Sequence, residues 1–139
     1  MAAGMNDFNQ QIIEEFRNND GRVGGMFEGA PMLLLHTTGA KSGDERVNPL
    51  MYRPDGEAWV IFASYAGSPK HPAWFHNLVA DPDVTIEVGT DTLDLRARVT
   101  DGEERTRIWE AQKRDAPGFA EYEEKAAGRE IPVVALERR

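Results

Sequence analysis

The stretch Val84–Val99, VTIEVGTDTLDLRARV, decides the fold. Apolar and polar residues alternate on both sides of the turn Gly89-Thr90-Asp91, from Val84 to Val88 and from Leu93 to Val99. A period of two is typical of a half-buried strand, and two such runs joined by a short glycine-containing turn predict an antiparallel hairpin. One face of this hairpin is expected to be buried and the other solvated.

A second hairpin is predicted upstream. The turn Arg53-Pro54-Asp55-Gly56 separates a strand at Glu45–Arg53 from a strand at Ala58–Ser64, and its proline, aspartate and glycine each favour a turn. Pro49 cannot donate a ladder hydrogen bond, so the first of these strands is expected at the edge of a sheet or to contain a bulge. Two further apolar runs have the length of strands: Pro31–Thr38 and Ile131–Glu137.

Helices are predicted before and between these strands. A helix at about 7–19 would present Phe8, Ile12, Ile13 and Phe16 on one face, with Asn6 or Asp7 capping its start and Gly21 closing its end. Shorter helices are expected at Pro72–Ala80, from a capping box at Thr100–Glu103 to about Arg114, and around Phe119–Ala127.

The order of the elements indicates the fold class. The strands do not alternate with helices, which argues against a doubly wound parallel sheet. It favours an α+β fold, in which a small antiparallel barrel has helices packed outside it. The 139 residues contain no linker and no internal repeat, so we expect a single domain spanning residues 1–139.

The composition narrows the classes of function. A net charge of −8 argues against a non-specific nucleic-acid binder, and the lack of cysteine removes disulfides, thiolate catalysis and cysteine-based metal sites. No run approaches the roughly 20 apolar residues that span a bilayer, and the N-terminus lacks the features of a secretory signal. We expect a cytoplasmic protein. Glu14 and Glu15 on the first helix would be repelled by anionic lipid, which favours packing on the domain but leaves peripheral membrane attachment open.

The segment Thr37–Pro49, TTGAKSGDERVNP, places a lysine in a glycine-flanked turn. Its core, Gly39–Gly43, resembles the end of a phosphate-binding P-loop. However, Ala40 stands where that motif has glycine, and the residues that follow are strand-like, so we exclude nucleoside triphosphate hydrolysis. The backbone N–H groups of such a turn, together with Lys41 and Arg46, suit a phosphate or a carboxylate. A hairpin turn with solvated charges is the alternative that the turn by itself leaves open.

Other polar residues give weaker signals. His71 and His76 are five residues apart, which on a helix places them about 140° apart around the axis, so we expect no metal site. No serine lies in a nucleophile-elbow motif. Trp74 and Asn77 lie one helical turn apart. A buried amide needs hydrogen-bond partners, and a flat ligand with polar edges would use both residues.

Two motifs together resemble a known family. GAKSG-x-x-R-V-N-P-L at Gly39–Leu50 and S-x-x-G-x-P-x-x-P-x-W-[FY]-x-N-L at Ser64–Leu78 strongly resemble the deazaflavin-dependent nitroreductase family of actinobacteria and related organisms. The segments RVGGMFEGAPMLLLHTTG and IPVVALE are similar to that family too, so the resemblance covers nearly the whole chain. It implies a split β-barrel like that of flavin-mononucleotide oxidases.

The resemblance also implies an activity and a cofactor. The family binds coenzyme F-420, an 8-hydroxy-5-deazaflavin with a phosphate and an oligoglutamate tail. The implied reaction is hydride transfer from the reduced cofactor to a small electron-poor acceptor, which is a quinone, an activated enone or a nitro compound. A flavin-mononucleotide enzyme with the same barrel and a non-catalytic cofactor- or ligand-binding protein remain the alternatives. The expected partner is the small-molecule acceptor, without nucleic acid or a membrane-spanning segment, and the expected state is a monomer or weak homodimer.

Carried over by position, the resemblance assigns roles to individual residues. The anionic tail would be held by Ala40, Lys41, Ser42 and Arg46, and the rest of the cofactor would lie along Val47, Asn48, Pro49, Leu50, Met51, Phe62, Ala63, Ser64, Tyr65, Ala73, Trp74, Phe75, His76, Asn77 and Phe119. Tyr122 and Ser64 would hydrogen-bond the acceptor or relay a proton. The chain departs from many relatives at Ala40, where they have arginine or lysine, at Tyr65, where they have lysine, and at Ala66, where they have glycine.

Overall fold

A computed structural model describes residues 3–25, 29–68, 70–126 and 128–139. The described residues form one antiparallel sheet, with strands β1 (Met32–Thr38), β2 (Glu45–Met51), β3 (Arg53–Asp55), β4 (Ala58–Phe62), β5 (Asp83–Val88), β6 (Asp91–Val99) and β7 (Val133–Arg138). The helices in these residues are α1 (Ala3–Asn18), α2 (Ala73–Ala80), α3 (Gly102–Asp115) and α4 (Gly118–Lys125), with a 3-10 turn at Tyr65–Gly67.

The hairpin β5–β6 lies near the centre of the sheet, whose strand order is β2-β1-β5-β6-β7-β4-β3. Val84 pairs with Leu95, and Ile86 with Leu93, so the alternating residues share a buried face as predicted. The prediction of an edge strand is also confirmed, because Pro49 lies in β2 at one end of the order and pairs with Leu34.

The sheet curls into a half-barrel. Leu33 and Leu35 of β1 belong to the same buried cluster as Ile61 of β4, although three strands separate β1 from β4 in the order. A flat sheet would hold these side chains far apart, since neighbouring strands are spaced by about 5 Å. Trp74 and Leu78 of α2 complete this inner cluster. The predicted α+β architecture, an antiparallel split barrel with outer helices, is therefore confirmed.

Helix α1 packs on the other face of β1. Ile12, Ile13 and Phe16 are buried against Met32 and Leu34. The helix begins at Ala3 rather than near residue 7, so the expectation that Asn6 or Asp7 caps it is wrong, because both lie inside the helix. Phe8, expected on the buried face, is 42% exposed. The end is as predicted, because Gly21 has φ +91° and its N–H donates to the Phe16 carbonyl at 2.8 Å.

Helices α3 and α4 pack on the face of β4 and β7 that is opposite the inner cluster. Phe119 of α4 packs against Phe62 and Trp109, at ring-centroid distances of 5.5 and 6.2 Å. The predicted capping box is wrong. Asp101 precedes α3 and makes no side-chain cap bond, while the buried Thr100 hydroxyl donates to the Val133 carbonyl at 2.8 Å. Because the Thr100 hydroxyl is bonded to the Val133 carbonyl of β7, it does not cap the start of α3.

Candidate functional site

A groove of about 640 Å³ lies between α1, the β1–β2 turn and α2. It is lined by Asn9, Gln10, Ile13, Gly39, Ala40, Lys41, Ser42, Arg46, Val47, Asn48, Ala73, Trp74, His76 and Asn77. This volume is within the range of small-molecule sites, which is about 300–1,000 Å³. The groove brings together both of the sequence motifs that the family resemblance rests on.

The β1–β2 turn forms one end of this groove. The turn is closed by the Gly39 N–H, which donates to the Asp44 carbonyl at 2.7 Å, and by the Gly43 N–H, which donates to the Gly39 carbonyl at 2.9 Å. Gly43 has φ +75°, a conformation that favours glycine. A Cβ on Gly39 would lie 2.6 Å from Ser42 Oγ and 3.2 Å from the Asp44 carbonyl oxygen, so a larger residue would crowd the turn and require Ser42 to change rotamer. We call the turn with Lys41, Ser42 and Arg46 the cradle.

The charges of the cradle are available to a ligand. Lys41 and Arg46 are exposed and take part in none of the ion pairs among the described residues. By contrast, Arg98 is held by Glu104 at 2.7 Å and by Glu137 at 3.0 Å. In a chain with a net charge of −8, two cations without ion pairs in the described residues make this end of the groove a candidate site for an anion.

Asn77 fixes the cradle to α2. Its side chain is 8% exposed, its Oδ1 accepts from the Ala40 N–H at 3.0 Å, and its Nδ2 donates to Thr37 Oγ1 at 3.2 Å. The buried amide therefore has partners in the protein. The resemblance predicts that Asn77 lies along the cofactor. It lines the groove, but one of its two bonds is to Ala40 of the turn and the other is to Thr37 of β1.

The alternation of β2 divides the predicted run Arg46–Met51 between two faces of the sheet. Asn48 and Leu50 pair with Leu35 and Leu33 of the inner cluster, so they face α2 together with Arg46. Val47, Pro49 and Met51 face the opposite side, where Val47 and Met51 pack against the α1 cluster. Since Arg46, Val47 and Asn48 all line the groove, the groove runs along the free edge of β2, and Pro49, Leu50 and Met51 lie outside its lining.

The remaining predicted residues lie outside the groove lining. Phe62 and Phe119 belong to a buried aromatic cluster, and Tyr122 packs on Phe119 at a ring-centroid distance of 5.4 Å. Ala63 and Ser64 lead from β4 into the 3-10 turn, where Tyr65 has φ +47° and is 49% exposed. Phe75 packs on the inner cluster, half-buried. We call Ala63–Ser68 the β4 loop; it lies against α4, where a Cβ on Gly67 would be 3.0 Å from the Tyr122 carbonyl oxygen.

Sequence reasoning missed the wall that α1 gives to the groove. Asn9, Gln10 and Ile13 line the groove. Of these three, the apolar pattern of α1 singled out Ile13 alone, and as a buried residue rather than a site residue. Gly39 was also missed as a site residue. Its place in a glycine-flanked turn was visible in the sequence, but the close approach of Ser42 Oγ, 2.6 Å from where a Cβ would lie, was not.

The histidines do not form a metal site in the described residues, where no group of three or more potential ligands lies together. His71 precedes α2, so the helical spacing assumed between it and His76 does not apply, and the two rings lie 5.8 Å apart. His71 Nδ1 lies 2.8 Å from Arg129 Nη1. His36 Nε2 lies 2.6 Å from Glu87 Oε2, which Arg17 of α1 also binds at 2.7 Å.

The antiparallel half-barrel, with an open groove beside the cradle, places the chain in the split-barrel class of proteins. The chain belongs to the F420H(2)-dependent quinone reductase family, whose model matches residues 9–138. The resemblance to deazaflavin-dependent reductases is thereby confirmed, under a family description that names quinones rather than nitro compounds.

Similar proteins agree with this family. An F420H(2)-dependent quinone reductase from Mycobacterium tuberculosis (strain ATCC 25618 / H37Rv) is 41% identical over 128 residues, which are 89% of this chain and 85% of that protein. The solved structure of an F420-H2 dependent reductase, FDR-A, is 42% identical with a TM-score of 0.70, covering 77% of this chain and 94% of that one. A solved chain described as a domain-swapped dimer is 36% identical with a TM-score of 0.71, covering 99% of this chain and 100% of that one.

A more distant structure bears on the fold alone. A Listeria innocua protein described as a putative pyridoxamine 5'-phosphate oxidase is 13% identical, with a TM-score of 0.53 over 91% of this chain and 90% of that one. In the described part of the chain, none of the helices has the length and apolar character needed to cross a bilayer.

Proposed function

We propose that this protein is an oxidoreductase that transfers hydride from reduced coenzyme F-420 to a small electron-poor acceptor, with a quinone as the first candidate. The single observation that carries the proposal is the cradle, where Lys41 and Arg46 are unpaired among the described residues at one end of the groove. The family name and the names of the similar proteins support the same cofactor and acceptor.

The residues present fit this cofactor. Its phosphate and glutamate carboxylates require several donors, and the cradle offers two cationic side chains and the Ser42 hydroxyl. Trp74 and Asn48, with the free edge of β2, would hold the tricyclic head. When bound, the deazaflavin supplies the hydride, and the protein supplies binding, orientation and shielding from water.

Reduction of a quinone also needs a proton, so a proton donor near the acceptor is required. Tyr122 and Ser64 are the candidates. Tyr122 is half-buried on α4, and Ser64 is 9% exposed at the start of the β4 loop. The β4 loop packs against α4, where a Cβ on Gly67 would be 3.0 Å from the Tyr122 carbonyl oxygen, so the two hydroxyl groups belong to neighbouring elements. We infer that the acceptor binds on this side, away from the cradle.

Oligomeric state and location remain predictions. We expect a monomer or a weak homodimer. A similar chain is described as a domain-swapped dimer, which supports the homodimer. Cytoplasmic location rests on the sequence alone.

The proposal is tested by following oxidation of reduced F-420 in the presence of a water-soluble quinone. The expected result is quinone-dependent oxidation that saturates with both reactants, with one hydroquinone formed per cofactor oxidised. Tight F-420 binding without turnover on quinones, enones and nitro compounds would contradict the enzyme proposal and favour a binding protein. Turnover with reduced flavin mononucleotide alone would favour a flavin enzyme.

A further inference from the structure

Arg129 makes an unusual set of contacts just after α4. Its Nε donates to the Ser68 carbonyl at 3.0 Å, its Nη1 to the Ala63 carbonyl at 3.0 Å, and its Nη2 to the Ser64 carbonyl at 2.8 Å. Nη1 also lies 2.8 Å from His71 Nδ1. These contacts use four of the five N–H donors that a guanidinium has, and none of its partners is a carboxylate in the described structure.

The hydrogen bonds from Arg129 hold both ends of the β4 loop, at Ala63 and Ser64 and at Ser68. The loop leaves the sheet at Ala63, turns at the strained Tyr65 and returns at Ser68. Within it, the Gly67 N–H donates to the Ser64 carbonyl at 2.9 Å and the Ser68 N–H to the Tyr65 carbonyl at 3.0 Å, which are contacts of one short turn. A backbone with a positive φ at a non-glycine residue needs its surroundings to hold it, and Arg129 supplies three anchors.

The same residue connects this loop with the candidate acceptor side of α4. Arg129 follows α4 closely in sequence, and its N–H donates to the Ala126 carbonyl at 3.1 Å. Tyr122 of α4 and Ser64 of the loop, the two candidate hydroxyl groups, are thus held by elements that Arg129 joins. We infer that Arg129 is a positioning residue that fixes the β4 loop relative to α4, and that His71 must be neutral to complete its set of acceptors.

The role of His71 follows from hydrogen-bond chemistry. Arg129 only donates, so His71 Nδ1 must accept, which requires a lone pair on that nitrogen. Burial, the positive charge of Arg129 and His76, in that order, lower the pKa of His71 below its ordinary value of 6.5. Arg129 and His76 are the charged or titratable groups that face His71 in the described structure. Protonation at acid pH would remove the acceptor and bring two cations together, so the loop should loosen as pH falls below about 6.5.

The first test measures hydrogen exchange in the protein without cofactor. Arg129→Met should speed exchange of the Gly67 and Ser68 amides by about tenfold or more, because charge-assisted bonds are lost, while amides of the β5–β6 hairpin keep their rates. Arg114→Met is the matched control, since Arg114 is exposed and its one ion pair among the described residues is with its neighbour Asp115. Unchanged exchange in the Arg129 variant would overturn the inference.

The second test uses pH and does not depend on whether Arg129→Met folds. His71→Asn keeps a side-chain acceptor but cannot be protonated, so its loop exchange should not accelerate between pH 7.5 and pH 5.5 beyond the intrinsic chemical dependence, whereas that of the wild type should. Coincident pH profiles would overturn the role of His71.

The kinetic readout rests on the proposed function. Arg129→Met should lower kcat for the quinone by about tenfold and change the Kd for F-420 less than threefold, and Arg129→Lys should not restore kcat, since an ammonium cannot span four acceptors. Wild-type kcat in both variants would overturn the positioning role. If the wild type itself neither binds F-420 nor reduces quinones, the proposed function fails, and the exchange measurements still decide the role of Arg129.

Discussion

Replacement of Asn77 separates a residue that holds the cradle from one that contacts the ligand. In the structure, Asn77 accepts from the Ala40 N–H and donates to Thr37 Oγ1. Asn77→Ala removes both bonds. Thr37 is 3% exposed, so its hydroxyl loses a partner that water does not replace, whereas Ala40 is exposed and its N–H can turn to solvent.

The magnitude follows from this difference. Loss of the buried contact should cost about 1–3 kcal/mol of unfolding free energy, and the solvent-facing contact should add less than about 1 kcal/mol. Asn77→Ala also removes the hydrogen bond that connects the turn carrying Lys41 with α2, so F-420 should bind about tenfold more weakly. The assays are urea unfolding and fluorescence titration with F-420.

Two matched variants sharpen the prediction. Thr37→Val removes the hydroxyl from the same pair, and its cost should be less than additive with that of Asn77→Ala, because the hydrogen bond between Asn77 and Thr37 is lost in either variant. Asn77→Asp keeps an acceptor for the Ala40 N–H, and the Thr37 hydroxyl can turn to donate to it. Its main effect should be repulsion of the anionic tail, which salt reduces. If Asn77→Ala keeps the wild-type stability and loses only affinity, Asn77 contacts the ligand and the anchoring argument is refuted.

Three other predictions follow from the same structure. Lys41→Ala or Arg46→Ala should weaken F-420 binding about 10- to 150-fold with the unfolding free energy unchanged, because each removes a charge-assisted contact; unchanged affinity in both, by fluorescence titration, would dismiss the cradle. Tyr122→Phe should lower kcat for quinones more than it weakens F-420 binding, and equal kcat values across several acceptors would leave Tyr122 as a packing residue. The bond from Arg17 holds the pKa of Glu87 below its ordinary value of 4.5, so this carboxylate stabilises the fold fully above about pH 4.5 and loses that contribution as pH falls through its folded pKa. Arg17→Met should reduce that acid dependence in thermal unfolding scans, and a parallel profile would contradict the assignment.

The hairpins could be predicted because their signals are local. The alternation of Val84–Val99 places Val84 opposite Leu95, and Pro49 indicates an edge strand wherever the sheet lies. The curl of the sheet could not be predicted in this way. It depends on pairing β7 with both β6 and β4, contacts between segments far apart in sequence.

In the candidate site, too, features with a local sequence signal could be predicted and those made by distant segments could not. Lys41 lies in the β1–β2 turn and Arg46 lies just after it at the start of β2, so a local motif indicates an anion site. The partners of Asn77 are 37 and 40 residues away, and Arg129 lies 58 residues from His71, so no spacing rule connects them. Thr100 shows the opposite failure. Its spacing matches a capping box, yet its hydroxyl donates to the carbonyl of Val133, 33 residues away, instead of capping the helix.

The central claim is that the cradle selects a cofactor with a long anionic tail, and titration of the apoprotein with F-420 and with flavin mononucleotide tests it most directly. Both ligands have a tricyclic head and a ribityl chain, but flavin mononucleotide ends at its phosphate. At low salt F-420 should bind more tightly by about tenfold or more, since carboxylates beyond the phosphate gain charge-assisted contacts. The advantage should shrink as salt screens the charges of Lys41 and Arg46, and it should fall when the glutamate tail is cleaved. Equal affinities for both cofactors, insensitive to salt, would contradict the claim.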